Sequence, residues 1–336
     1  MYKYPILKNF EVTSDFYLNL IELKRRYSFI LYEKLFNKKI VIVLKHDSSK
    51  FYTNFFNKKN KIFYKKKKKE FIIIYKKKFV KLKNSVFDNK IRIFTQKNFS
   101  KSELINLFDN LILIKLIQSK FIPVHSSGFY VDNKGYLISS YGGAGKTRLI
   151  LEASKRFTKL KFFDEWCILK ENFVRPLRKD MLLLHYDILA FKDLFSKIDY
   201  IRAYISRIFK SKIITELLRI VRLGLPYKYI YFKKIGAFKL KYIFFMSQKN
   251  KKKVSISKIS RKKILKLIMR NFFYEKRMLH KLISVNNSVA EFENKISIKK
   301  LYQCLLSKYV KKIFLRSIFI QNQEKDIQLI FKEIIK

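Results

Sequence analysis

Tyr136-Leu137-Ile138-Ser139-Ser140-Tyr141-Gly142-Gly143-Ala144-Gly145-Lys146-Thr147-Arg148-Leu149-Ile150-Leu151 passes from an apolar run through a glycine-rich turn into a second apolar run. Strand, turn and helix in that order read as a phosphate-binding loop. Gly142, Gly143 and Gly145, with Ala144 between them, leave backbone N–H groups free to converge on phosphate oxygens, and the helix N-terminus adds its positive end. Lys146 can reach the β- and γ-phosphates, and Thr147 offers a hydroxyl to Mg²⁺. The pattern G-x-x-x-x-G-K-[ST] is kept except at its first glycine, which is Ser140. A left-handed glycine turn beside a surface lysine is the competing structural reading.

Upstream, Phe121 to His125 and Gly128 to Val131 lead into the turn Asp132-Asn133-Lys134-Gly135, so a hairpin feeds the loop. His125 lies 21 positions before Lys146 on the first arm of that hairpin, where an imidazole can sit close to bound phosphate or merely pack. Downstream, a helix from Lys146 to about Phe157 is followed by the apolar run Leu160 to Phe163, the acidic pair Asp164-Glu165, and Trp166 to Leu169. This is the order of a nucleotide-binding βαβ unit. Asp164 would then join Thr147 at the metal, and the pair Asp164-Glu165 supplies candidate catalytic carboxylates; an acidic turn that ends a strand is the plainer reading.

The remaining chain frames this core. Ile40 to Leu44, Phe71 to Tyr75 and Ile91 to Phe94 read as strands among lysine clusters, and the block Lys65 to Lys69 as a solvated hairpin tip rather than a polyanion contact. Ser102 opens a helix with a broad buried face from Leu104 to Ile114. Phe191 to Leu223 reads as a helix stopped by Gly224-Leu225-Pro226, Ala237 to Met246 as a strand, and Ser260 to Phe273, Ser297 to Leu306 and Lys325 to Ile335 as helices. The organisation expected is a β-rich region at 1–100, a phosphate-loop kinase-like α/β core at 101–258, and a helical region at 259–336 packed on it.

Composition bounds the partners. With 76 Lys and Arg against 25 Asp and Glu, the net charge of +51 invites nucleic acid. Lysine greatly exceeds arginine, however, and Ile, Phe, Tyr and Asn abound, which is the signature of an AT-rich coding bias; the charge is therefore discounted as a functional signal. Two cysteines, Cys167 and Cys304, make no disulfide framework, and no C-x-x-C spacing occurs, so a reducing cytoplasm fits. Neither the N-terminus nor any apolar run suggests secretion or a membrane span. His46, His185 and His280 have no motif around them and read as structural or surface groups.

Val124-His125-Ser126-Ser127-Gly128, Asn133-Lys134-Gly135, Leu137 to Ser140, Gly142 to Thr147 and Phe163-Asp164-Glu165 together resemble the C-terminal catalytic domain of HPr kinase/phosphorylase, in the phosphoenolpyruvate-carboxykinase-like superfamily. The likeness covers about residues 105–175, with a weaker one over Tyr242 to Met246 and the helix after Ser260. It implies a mixed-sheet core, ATP or GTP with Mg²⁺ as cofactors, and phosphoryl transfer to a hydroxyl of a protein, peptide or small molecule. By position, Lys146 and Thr147 would grip phosphates and metal, Asp164 and Glu165 would serve the metal and act as base, and His125 would assist. It also implies a homo-oligomer. The chain departs from the family at Ser140, at Ser126 after the histidine, and at Glu165 for the second aspartate, and it lacks the downstream E-x-R-G signature. A nucleotide-binding regulator without transfer and, from charge alone, a nucleic-acid-binding NTPase are the other function classes.

Overall fold

The computed structural model describes residues 1–47, 62–65, 70–75, 78–83, 85–96, 99–132, 134–141, 144–157, 160–178, 180–183, 228–232, 235–248, 255–287, 298–310 and 313–320, with isolated positions in 196–204 and Phe331. The architecture is mixed α/β: two mixed sheets with helices between and around them, and a small two-stranded ribbon.

The N-terminal sheet has seven strands in the order β1 (Tyr2–Leu7), β2 (Phe10–Ser14), β3 (Ile40–His46), β7 (Lys90–Thr95), β6 (Lys78–Lys83), β5 (Glu70–Tyr75) and β4 (Ile62–Lys65). β2, β3 and β7 run parallel, and β4 to β7 form an antiparallel meander. Alternation sets the inner face: Ile91 and Ile93 are buried in β7, whereas Lys90 and Arg92 are exposed. β4 and β5 pair up to Lys65 and Glu70, and residues 66–69 of the lysine block lie outside the described residues.

Helix α1 (Ile21–Arg26) and helix α2 (Lys101–Gln118) lie between this sheet and the second one. α2 starts one residue before the expected Ser102. Ser100 stands at its cap position with Glu103 three residues on, the capping-box spacing, and Ser102 falls in the first turn, where its hydroxyl bonds that of Ser100. From Leu111 to Ile117 every residue is buried, because helices pack around α2 while β8 passes beside it.

The core sheet has eight strands. β8 (Ile122–Val131) organises it. Along one edge Ser126 to Val131 pair antiparallel with β9 (Lys134–Ser140); along the other, Gly128 to Tyr130 pair with β10 (Lys161–Phe163), and Ile122 to His125 pair with β11 (Trp166–Lys170). β9 continues into β15 (Phe238–Gln248), then β17 (Phe314–Ile320), both parallel neighbours, and β16 (Ser255–Lys258) closes the edge. β12 (Phe173–Pro176) joins β11 to the start of β15, while β13 (Asp180–Leu183) and β14 (Lys228–Tyr231) form the ribbon.

Helix α3 (Lys146–Arg156) crosses from β9 to β10. The two strands are parallel but not neighbours, because β8 runs antiparallel between them. α3 covers one face of the sheet, where Ile138, Phe244 and Met246 meet Leu149 and Ile150. On the opposite face Leu137, Ile243 and Phe245 join α2, α4 (Arg261–Glu275), α5 (Arg277–Asn287) and α6 (Ile298–Tyr309) in the larger core. Successive residues of β9 and β15 thus serve opposite faces.

The hairpin turn is tighter than expected. Val131 pairs with Lys134, leaving Asp132 at φ 46° and Asn133 between them, so Lys134 and Gly135 already belong to β9. Gly135 is needed for a close approach instead: a Cβ there would stand 2.2 Å from the Phe238 ring. The C-terminal region also differs from a purely helical one, since β17 enters the core sheet beside β15. Most of Phe191 to Leu223, Gly224-Leu225-Pro226, and all of Lys325 to Ile335 except Phe331 lie outside the described residues. Phe331 is helical and buried against Phe129 and Phe157. No helix among the described residues is long and apolar enough to cross a membrane.

Candidate active site

At the end of β9 the chain turns into α3. Gly145 occupies the helix cap position at φ 88°, a left-handed conformation that glycine adopts without Cβ strain, and Ala144 donates its N–H to the Tyr141 carbonyl at 3.3 Å. Gly142 and Gly143 lie outside the described residues. Ser140, where the loop pattern has glycine, is the last residue of β9; it is buried, and its hydroxyl donates to the Tyr141 carbonyl at 3.0 Å.

Lys146 is the first helical residue and is 7% exposed. Burial lowers its pKa, while the carboxylates of Asp164, Glu275 and Glu165 oppose that shift. Thr147 Oγ1 donates to Asp164 Oδ2 at 3.0 Å, and Ser127 Oγ donates to Asp164 Oδ1. Asp164 is 1% exposed, so two hydroxyls and the nearby ammonium replace the water its carboxylate gives up.

Asp164 and Glu165 are turned apart by a three-residue turn. Trp166 donates its N–H to the Asp164 carbonyl at 3.1 Å, and Glu165 sits at φ 70° between them. A γ-turn with positive central φ is strained, and here it interrupts the β10–β11 edge where Ser126 N–H bonds the Glu165 carbonyl at 2.9 Å. Asp164 thereby meets Thr147 while Glu165 meets Arg178, whose Nη1 lies 2.5 Å from Glu165 Oε2. Burial raises the Glu165 pKa and Asp164 adds to the rise, against the pull of Arg178.

His125 pairs across the strands with Trp166, and their rings stack at 5.0 Å. Its Nδ1 is buried with no hydrogen-bond partner, 3.8 Å from Glu275 Oε1. Burial, with Lys146 and Lys276, holds the imidazole well below its usual pKa, so it is neutral at physiological pH. Asn271 and Ser139 both donate to the His125 carbonyl, tying α4 to this strand.

His125, Lys146, Thr147, Asp164 and Glu165, spread over about forty residues of sequence, therefore converge around the start of α3. Sequence reasoning did not single out Ser127, Arg178, Asn271, Glu275 or the group around Asp109. Asp109 accepts from Tyr27 Oη at 2.7 Å, from Lys276 Nζ at 2.6 Å, and pairs with Arg26 Nη1 at 3.2 Å. Burial works against its charge, but Lys276 and Arg26 hold it below the usual carboxylate range. Only Ser127, inside the quoted hairpin, carried any local signal.

Of the other histidines, His46 stacks on Phe16 at 4.0 Å, His280 packs near Phe273, and His185 lies outside the described residues. Among the described residues, no group of three His, Cys, Asp or Glu could hold a metal alone. The hard oxygens of Thr147 and Asp164 do suit Mg²⁺, which takes one or two protein oxygens and completes its shell with phosphates and water. No known protein family matches the chain, and no curated protein matches it.

Proposed function

We propose that this chain is a phosphotransferase that binds ATP or GTP with Mg²⁺ at Ala144–Thr147 and passes the terminal phosphoryl group to a hydroxyl. The observation that carries the reading is the buried Asp164 carboxylate shared by Thr147 and Ser127 at the first turn of α3, within electrostatic reach of the Lys146 ammonium. The free amides of the first helical turn and Lys146 would neutralise the phosphates. Bound Mg²⁺, held by Thr147 Oγ1 and Asp164 Oδ2, would supply further charge neutralisation on the phosphate oxygens. Glu165, its pKa raised by burial, is the base for the acceptor hydroxyl; His125, kept neutral by burial and by the nearby Lys146 charge, can hydrogen-bond the group in transfer. The setting we propose is cytoplasmic.

One observation favours a second reading. Glu165 is paired with Arg178, and a carboxylate held by a guanidinium is a weaker base, as a nucleotide-binding regulator without transfer would tolerate. Binding and turnover of Mg·ATP and Mg·GTP by wild type, Lys146→Ala and Asp164→Asn separate the two. Phosphotransfer predicts slow hydrolysis by wild type and a loss of about 10²- to 10³-fold in each variant. Binding without turnover assigns the regulator; no binding removes both. Turnover stimulated by nucleic acid at moderate salt would instead restore the NTPase class.

A further inference from the structure

Behind the β10–β11 turn lies a cavity of about 280 Å³, walled by α1, α2, β8, that turn, Arg178 and the α4–α5 junction. Its floor is buried: Tyr27, Leu113 and Leu177 are each no more than 2% exposed. Its rim contains His125 and Glu165, assigned above to hydrogen-bonding the group in transfer and to taking the acceptor's proton. A ligand in this cavity therefore touches the candidate base, and two of the carboxylates that line it, Glu165 and Glu275, act on the Lys146 ammonium.

The charges around it are unusual for this chain. Cations outnumber acids about threefold overall, yet four carboxylates, Glu22, Asp109, Glu165 and Glu275, line the cavity against three cations, Arg26, Arg178 and Lys276. The cations are engaged: Arg26 and Lys276 by Asp109, and Arg178 by Glu165 and Asp180. An anionic ligand would have to break one of these buried pairs, a costly exchange. The Nδ1 of His125 is a buried polar atom without a partner, and the 3.8 Å separating it from Glu275 is too long for a direct hydrogen bond. A hydroxyl or ammonium group between them would bond both. The volume is just below the usual range of small-molecule sites.

Building on the phosphotransferase reading, we infer that this cavity is the acceptor site and takes a small hydroxyl compound with no net negative charge, such as a polyol or a hydroxylated amine or amino acid. In the transfer, the acceptor oxygen bonds to the γ-phosphorus as the bond from that phosphorus to the β-phosphate oxygen breaks. The hydroxyl proton passes to the Glu165 carboxylate, and the nucleoside diphosphate leaves with the electron pair. Arg178 and Glu275 are positioning residues, the first orienting Glu165 and the second receiving the acceptor's polar end.

Trp166 gives a test that needs no nucleotide. It is the only tryptophan in the chain and lines this cavity, so its emission reports occupancy directly. Glycerol, L-serine, ethanolamine and D-glucose would be titrated alongside glycerol 3-phosphate, O-phosphoserine and glucose 6-phosphate, with Trp166 emission and Mg·ATP turnover followed in parallel. The expected result is a saturable emission change with one or more of the unphosphorylated compounds, stimulation of turnover at the same half-saturation, and binding of the phosphorylated counterparts weaker by about 100-fold. Glu275→Gln raises the acceptor half-saturation by about tenfold, a larger change than it makes in the nucleotide affinity. Three results overturn the inference: an emission change without stimulation in a wild type that does turn over nucleotide, no emission change with any of the unphosphorylated compounds, or stimulation only by phosphorylated compounds. If Trp166 responds but wild type neither binds nor turns over nucleotide, the phosphotransferase reading fails instead, and the cavity keeps its ligand class.

Discussion

Asp109→Asn tests the joint between the N-terminal region and the core. The carboxylate is 4% exposed and receives Tyr27 Oη, Lys276 Nζ and Arg26 Nη1 within 3.2 Å. Asparagine keeps the shape and still accepts from Tyr27, but two cations then face a neutral amide. Breaking a buried pair by removing one partner costs about 3–5 kcal/mol. The Arg26 side chain is 29% exposed and recovers some hydration, so about 2–3 kcal/mol is the expected loss. In a urea melt that is a midpoint shift of about 1 M for a slope of about 2–3 kcal/mol per M. Lys276→Met in the Asp109→Asn background should recover part of it, because the stranded cation goes with the carboxylate. pH gives an independent check. Asp109 titrates below its unfolded value of about 3.9, so its contribution is full above that pH and is lost as pH falls through the folded pKa. The variant should therefore show a shallower loss of stability in acid. A midpoint within about 0.3 M of wild type, less than about 1 kcal/mol, with an unchanged acid limb, would refute the reasoning.

Other residues give sharper local tests. Gly128→Ala places a Cβ 2.3 Å from the Tyr136 carbonyl oxygen and 2.6 Å from the Phe163 ring; since the first obstacle is backbone, a loss of about 3 kcal/mol is expected in the same melt, and a neutral change would mean that β8 and β9 separate easily. Alkylation of the native protein should add one label, at exposed Cys304, because Cys167 is buried beside Ser126 and its thiol is pushed up to about 12; a label on Cys167 in native buffer contradicts that burial. Acceptor-dependent turnover should rise with pH through a limb above the ordinary glutamate value of about 4.3, and Glu165→Gln should remove the limb and about 10²- to 10⁴-fold of the rate. An intact limb in that variant would move the base elsewhere.

The sequence was legible wherever the determinant is local. The strand into Ser140, the turn at Gly145 and the helix from Lys146 follow from periodicity and glycine chemistry within fifteen residues, and the hairpin from Phe121 to Ser140 follows from two apolar runs and a turn. The acidic pair was readable because two carboxylates at the end of an apolar run are rare in a chain so rich in lysine. What was not legible is the far wall of the site. Asp109 sits in the middle of an apolar helix, and Lys276 and Glu275 at a helix junction more than 160 residues later; no spacing rule links them, and the abundance of lysine hides the one that matters. β17 escaped for a related reason, since Phe314 to Ile320 carries an arginine and becomes a strand by pairing with β15 across the sequence.

That last pairing has a consequence for synthesis. β9 and β17 flank the same residues of β15 from opposite sides, so Tyr242 to Met246 are bonded on one edge as soon as they are made and wait on the other until Phe314 to Ile320 emerge from the ribosome. During that interval the nascent chain presents a flat, largely uncharged edge, Tyr-Ile-Phe-Phe-Met, of the kind that recruits other strands. A ribosome that stalls or stops before Phe314 would release a polypeptide with a complete β8–β9 hairpin and an open edge. Such products should collect in inclusion bodies, whereas a chain extended through Ile320, its edge capped by β17, stays dispersed.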